Sequence, residues 1–146
     1  LDPNNAEVWI ELHPRRDRLK RCSGCLGSVD SVHDTEERWI RDLPILDAQT
    51  WLLVHRCRLA CPRCGPKLEH LPWLDRYSRV TGRLAESVVR LCHVLSIKHT
   101  AQYFDLGWDT VKELDKQALR RKLEPVDLTD VQLLLIDEFA LRKGHR

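Results

Sequence analysis

Three patterns of apolar positions organise the chain. In its second half, Leu84, Val88, Leu91 and Leu95 recur at i, i+4, i+7 and i+11, which predicts one face of a helix starting near Thr81. Upstream, Leu52–Leu59 (LLVHRCRL) and the segment from Trp39 to Ile45 read as the two strands of a hairpin. Beyond a break at Pro125, Val131-Gln-Leu-Leu-Leu-Ile136 reads as a further strand, closed by Asp137-Glu138-Phe139.

Around the predicted helix the spacing matches a helix-turn-helix unit. Ser96 is a good N-cap for a second helix through Ala101 to Phe104, and Leu106-Gly107-Trp108 makes a turn. Asp109 or Thr110 is expected to cap a third helix, with Glu113 near its first turn as in a capping box. Small Ala101 stands where two helices can cross closely, and Phe104, Leu106, Val111 and Leu114 fall where such units carry their core. Asp105 occupies the turn position commonly held by glycine; aspartate tolerates the left-handed backbone better than most residues. The competing reading is three amphipathic helices packed for their own sake.

If the unit reads DNA, its third helix lies in the major groove with its N-terminal side chains at base edges. Trp108, Asp109, Thr110, Lys112 and Lys116 then face the groove, Lys112 and Lys116 on one face at i, i+4. Arg120, Arg121 and Lys122 suit phosphates, Arg83 is a further DNA-binding candidate, and Trp108 is either a core anchor, the favoured reading, or a backbone contact.

Composition adds limits. The 146 residues, 42% hydrophobic and 32% charged, describe a soluble globular chain of one ordinary or two small domains. No apolar run approaches the ~20 residues that cross a bilayer, and no signal peptide opens the chain. A membrane partner is therefore not expected, and a cytoplasmic, nucleoid-associated location is. The chain lacks methionine, so Leu1 reads as an internal start. The net charge of +2 is unevenly spread: residues 76–122 carry ten Lys/Arg against five acids, and 123–138 carry five acids and no base. Arg15, Arg16, Arg18, Lys20 and Arg21 form a second basic cluster. Such faces suit a polyanion, although a solvated surface explains them equally well.

Six cysteines without a secretion signal favour metal or redox chemistry over disulfides. Four form two knuckles, Cys22-Ser-Gly-Cys25 and Cys61-Pro-Arg-Cys64, with Gly27 and Gly65 close behind. C-x-x-C lets a tight turn aim two sulfurs at one ion, and two knuckles complete a tetrahedron of thiolates around a structural zinc. Four thiolates leave no open position for water or substrate, so the ion holds structure together. The 35 residues between the knuckles exceed ordinary ribbon spacing, and the predicted hairpin would bring them together. Iron bound as in rubredoxin remains open, whereas a redox C-x-x-C needs only one knuckle and a βαβ setting that is missing. Cys57, Cys92, His33 and His55 are read as non-ligands.

The order of parts resembles the bacterial insertion-sequence transposases of the ISL-three type. The matching stretches are Cys22-Ser-Gly-Cys25, Val32-His33-Asp34, Arg41-Asp42-Leu43-Pro44, Cys61-Pro-Arg-Cys64, Thr81-Gly-Arg-Leu84, Trp108-Asp-Thr-Val111, Ile136-Asp-Glu-Phe-Ala140 and Arg142-Lys-Gly-His145. The resemblance implies an α+β chain: a small β-rich zinc-knuckle module (1–72), a helical helix-turn-helix domain (73–124), and a linker with the first strand of a ribonuclease-H-like DDE domain (125–146). It implies double-stranded DNA as partner, specifically the element's terminal inverted repeats, and allows a homodimer. By position, Asp137 is the first catalytic carboxylate. One carboxylate cannot hold the two magnesium ions of strand transfer, so magnesium and catalysis are expected only in a full-length parent. The alternative is a zinc-containing helix-turn-helix transcription regulator. A further reading makes the zinc module a protein-interaction or dimerisation surface.

Overall fold

The computed structural model describes residues 6–15, 17–123, 129, 132 and 133. Asp137 lies outside the described residues, as does most of the strand expected at 131–136. In order, the elements are β1 (Glu7–Leu12), β2 (Val32–Ile45), β3 (Ala48–Cys61), β4 (Gly65–Leu68), α1 (Gly82–Cys92), α2 (Ile97–Phe104) and α3 (Trp108–Lys122).

The expected hairpin is present and longer than its apolar runs, with 14 residues in each of β2 and β3. It extends because the ladder continues through charged pairs, from Trp39 opposite Leu53 out to Glu36 opposite Arg56 and Asp34 opposite Arg58. The other edge of β3 is shared. β1 runs parallel to it along Gln49–Val54, and β4 runs antiparallel along Arg58–Cys61. Alternation then sorts the faces: Thr50, Leu52, Val54 and Arg56 are buried, whereas Trp51, Leu53 and His55 lie half-buried on the opposite side. On that opposite side Trp9 stacks on Trp51 and meets Trp39 edge-on, with ring centroids 5.7 and 4.7 Å apart.

Three apolar clusters follow the hairpin from end to end. Cys22, Val29, Cys57, Leu59 and Cys61 pack at the knuckle end. Ile40, Leu52, Val54, Leu71 and Leu74 form the middle, so the segment after β4 folds back over the sheet. Val80, Leu84, Val88, Ala101 and Val111 make the helical core, against which Leu43 of β2 also packs.

The helices form largely where their caps stand. Thr81 caps α1, its hydroxyl accepting from Leu84 N–H, and Ser96 caps α2 by accepting from His99 N–H. The apolar face of α1 is shorter than its spacing suggests. Leu84 and Val88 are buried, but the helix stops at Cys92 and Leu95 is exposed, because the chain turns there to present Ser96. Asp105 takes the left-handed conformation expected of it, at φ 49° and ψ 53°, and Leu106 N–H closes the turn on Ala101 O at 2.9 Å. The expected cap of α3 is displaced. Gly107 is the N-cap, without a side-chain bond, and Asp109 and Thr110 lie inside the first turn. There Asp109 favours the positive end of the helix dipole instead of capping it.

Candidate metal centre and nucleic-acid interface

The hairpin returns the chain so that Cys61, at the end of β3, meets the first knuckle. The Cys22, Cys25, Cys61 and Cys64 sulfurs all lie within 4.8 Å of one another, and Cys25 Sγ is 3.7 Å from Cys61 Sγ. A zinc tetrahedron with Zn–S of ~2.3 Å has an edge of about 3.8 Å, so the donor set fits that ion. Cys22 is fully buried, and Gly24 N–H donates to its sulfur at 3.3 Å. A Cβ at Gly24 would stand 3.2 Å from Cys64 Sγ, which explains the glycine within the first knuckle.

The backbone freedom behind each knuckle is unevenly supplied. Gly65 takes φ +69° after the second knuckle, as its position suggests. After the first knuckle the left-handed residue is Leu26, at φ 56°, and not Gly27.

Burial pushes the Cys22 thiol up, but the Gly24 and Cys25 N–H groups and the thiols of Cys61 and Cys25 outweigh it and bring the group down to about 7. Cys64 is pushed up to about 12, first by its bond to Cys25, then by burial and by its bonds to Cys22 and Cys61. Of these two thiols, Cys22 thus gives up its proton readily and Cys64 holds on to its own. A bound zinc would stabilise all four thiolates and tie the two knuckles together.

Cys57 and Cys92 stand outside the cluster. His55 is engaged elsewhere: its Nε2 lies 2.8 Å from Glu11 Oε1 and its Nδ1 3.4 Å from Glu37 Oε1, with the His13 ring stacked on it at 5.8 Å. His33 pairs with Asp34 at 2.8 Å.

The helical unit seats α3 by the predicted contacts. Ala101 and Val111 are buried at 6% and 0% exposure, so α2 and α3 approach closely. Trp108, Asp109, Thr110 and Lys116 are exposed and Lys112 is half-buried. Trp108 is 47% exposed and is no core anchor; the Lys112 ammonium sits 4.5 Å above its ring. With Gly107 as cap, position 108 begins the helix on the solvent side, and Leu106 takes the inward place.

Several expected phosphate ligands have partners inside the chain. Arg83 grips the buried Asp42 carboxylate, with Nε 2.7 Å from Oδ1 and Nη2 on Oδ2, so it serves the fold. Arg121 pairs with Asp75 at 2.7 Å, and Arg120 reaches Glu113 at 3.5 Å. Arg18, from the early basic cluster, is held by buried Glu69 at 2.6 Å.

Sequence reasoning gave Arg41 and Asp42 no role beyond the family resemblance, yet they join the sheet to the helices. Arg41 N–H donates to Arg79 O at 2.8 Å and Arg41 O accepts from Thr81 N–H at 2.9 Å. The Arg41 guanidinium reaches Phe104 O at 3.0 Å and Gln49 Oε1 at 2.6 Å. Burial lowers Arg41 despite the nearby charges of Asp105 and Glu7. The signal was the Arg-Asp pair inside a strand pattern, where buried charge needs partners. No described helix is long and apolar enough to cross a membrane.

Residues 18–64 match the family described as the zinc-finger of transposase IS204/IS1001/IS1096/IS1165, and residues 69–119 match the helix-turn-helix domain of transposase family ISL3. Over 146 residues the chain is 46% identical to the transposase for insertion sequence element IS1001 of Bordetella parapertussis, covering 99% of this chain and 36% of that protein. It is 24% identical over 147 residues to the transposase for IS1557 of Mycobacterium tuberculosis (strain ATCC 25618 / H37Rv), covering 98% of this chain and 33% of that protein. The chain spans about a third of the length of these curated relatives. No solved structure matches.

Proposed function

We propose, for a chain that belongs to the ISL3-type transposases by its zinc-finger and helix-turn-helix domains, that it holds double-stranded DNA at the terminal inverted repeats of an insertion sequence. The observation that carries this reading is the α3 N-terminus. The Ala101–Val111 crossing fixes the helix, while Trp108, Asp109 and Thr110 stay exposed at its start. Those are the positions from which a recognition helix meets base edges. Lys112 and Lys116 continue that face, and Arg120, Arg121 and Lys122 add positive charge at its end. Cys22, Cys25, Cys61 and Cys64 hold one structural zinc that keeps the knuckle end of the sheet folded.

In a full-length parent, Asp137 supplies one carboxylate for magnesium-dependent strand cleavage and joining, completed by carboxylates from other strands. The chain divides at 72/73 and 124/125 into zinc module, helix-turn-helix domain and the start of the catalytic domain, with Leu74 packed in the sheet cluster and Val80 in the helical core.

The test is fluorescence anisotropy with this chain, using duplexes of the element's own terminal repeats and scrambled duplexes of equal length. Preference for the terminal repeats by at least ~10³, the low end for specific sites, is the expected result. Equal affinity for both duplexes overturns the inverted-repeat assignment, and Lys112→Ala/Lys116→Ala without effect overturns the role of α3.

A further inference from the structure

On the sheet, between α3 and the metal knuckles, lies an open depression of about 400 Å³ whose walls include Arg38, Arg58, Lys67 and Arg76, with Tyr77 at its side and Glu36 as its one acid. The four bases come from β2, β3, β4 and the segment before α1, so they form no run in the sequence. Their internal neutralisation is incomplete. Arg38 lies 3.9 Å from Glu36, and Arg58 lies 3.5 Å from Asp34. Among the described ion pairs neither Lys67 nor Arg76 has a carboxylate; Arg76 instead donates to Tyr77 Oη at 2.9 Å and lies over its ring at 4.8 Å. Directly opposite Glu36 in the ladder stands Arg56, 1% exposed, with Nε and Nη1 unpaired. The buried guanidinium behind the wall adds positive potential that water screens little, offset in part by Glu36 and buried Glu69.

Two further observations point to a ligand. Tyr77 holds φ 63°, a left-handed conformation that costs energy for a bulky residue and that clusters at ligand clamps. Arg76 and Tyr77 also line a second depression, together with Thr110, Glu113 and Gln117 of α3. Through Arg76 and Tyr77 the basic depression thus adjoins one that reaches the recognition helix. On its other side, Lys67 pairs with Leu59 two positions from Cys61.

We propose that this depression is a second nucleic-acid contact, a phosphodiester-binding subsite made by Arg38, Arg58, Lys67 and Arg76. It carries the DNA footprint from α3 across the sheet toward the knuckles. The inference rests on the DNA-binding reading above and adds a flank to it. The subsite takes the sugar–phosphate backbone of the same duplex, because guanidinium forks and an ammonium from four segments match phosphate oxygens, contacts that position a duplex without reading its sequence.

The test compares this chain with its Arg58→Gln/Lys67→Gln/Arg76→Gln variant on terminal-repeat duplexes, measuring Kd against salt concentration. Each lost phosphate contact lowers the slope of log K on log salt by about 0.9, so a fall of about 2–3 is expected. Weakening should be equal for scrambled flanks, and the variant and wild type should converge on a duplex shortened to the α3 site. Lys67→Gln alone removes no ion pair among the described residues, so a fall of about 0.9 is expected from it even if the triple variant misfolds. Lys67→Arg should restore the wild-type slope. An unchanged slope in a folded Lys67→Gln chain, with Lys112→Ala/Lys116→Ala still weakening binding, overturns the subsite and leaves the DNA-binding reading standing. Failure of the wild type to bind any duplex overturns both.

Discussion

The Thr81 hydroxyl donates to Asp42 Oδ1 at 2.6 Å while accepting from Leu84 N–H at 3.3 Å, so one side chain both caps α1 and fastens it to β2. Asp42 is 1% exposed and Arg83 completes its shell. The start of the helical unit is therefore set by the sheet.

Asp42→Asn should destabilise the chain by about 2–3 kcal/mol, the scale of hydrogen bonds to a charged group. Burial raises the Asp42 carboxyl, but the bonds from Arg83, Thr81 and Leu43 N–H outweigh it and hold the group below its ordinary value. A group depressed in the folded state stabilises above the unfolded carboxylate range and loses that stability as pH falls through its native value. Urea unfolding should accordingly show the gap between wild type and variant closing as the solution is acidified below about pH 4.

Arg83→Gln separates fold from binding. Its guanidinium is committed to Asp42, so the midpoint of thermal unfolding should drop while the salt slope of DNA binding stays put. Arg120→Gln and Lys122→Gln, at the far end of α3, should do the reverse, each lowering the slope by about 0.9. A slope that falls in Arg83→Gln would return that side chain to the DNA.

Gly65→Ala isolates backbone cost, because a Cβ there meets nothing within 4 Å and only φ +69° opposes it. A loss of about 1–2 kcal/mol is expected in denaturant unfolding of the zinc-loaded chain. Leu26→Gly relieves the same strain at the first knuckle and should leave stability level or higher, since Leu26 is 53% exposed.

Metal analysis should give one zinc per chain, lost in Cys61→Ser and kept in Cys92→Ser. Because thiolates are the ligands and Cys64 is pushed up to about 12, loading releases protons and affinity falls as pH is lowered. Chelation should speed amide exchange first between Cys22 and Leu68, around the cluster of Val29 and Leu59. Val88 and Val111, in a separate core, should stay protected. Uniform exchange across both regions would show that the metal governs the whole chain.

How much of this was legible in the sequence depends on range. The knuckles, the hairpin, the Thr81 and Ser96 caps and the left-handed Asp105 are local signals, each set by a few neighbouring residues. What escaped reading depends on distant partners. β1 pairs parallel with β3 across some 40 positions, as in Glu7 opposite Gln49, and no turn announces that. Arg83 reads as a free cation until Asp42 is folded against it. Trp108 has a core residue's composition, yet a helix that starts two or three positions earlier than expected, with Gly107 as its cap, turns it outward. Arg38, Arg58, Lys67 and Arg76 are scattered over four segments and meet only in the sheet.

The β2–β3 hairpin sets the separation between the knuckles and the helical unit, and pleated geometry makes that separation stepwise. Thirteen residue steps from Ala48 to Cys61 span about 43 Å at ~3.3 Å each, somewhat more than the ~34 Å turn of a duplex. Removing one residue from each strand would turn every side chain beyond it to the opposite face and scatter the cysteines. Removing two from each would keep all faces and draw the knuckles inward by about 7 Å. Wherever no bulge absorbs the odd residue, as one does between Val32 and Asp34, the length of this hairpin can therefore change only in paired increments, each a discrete setting of how far the cysteine-bearing end stands from α3.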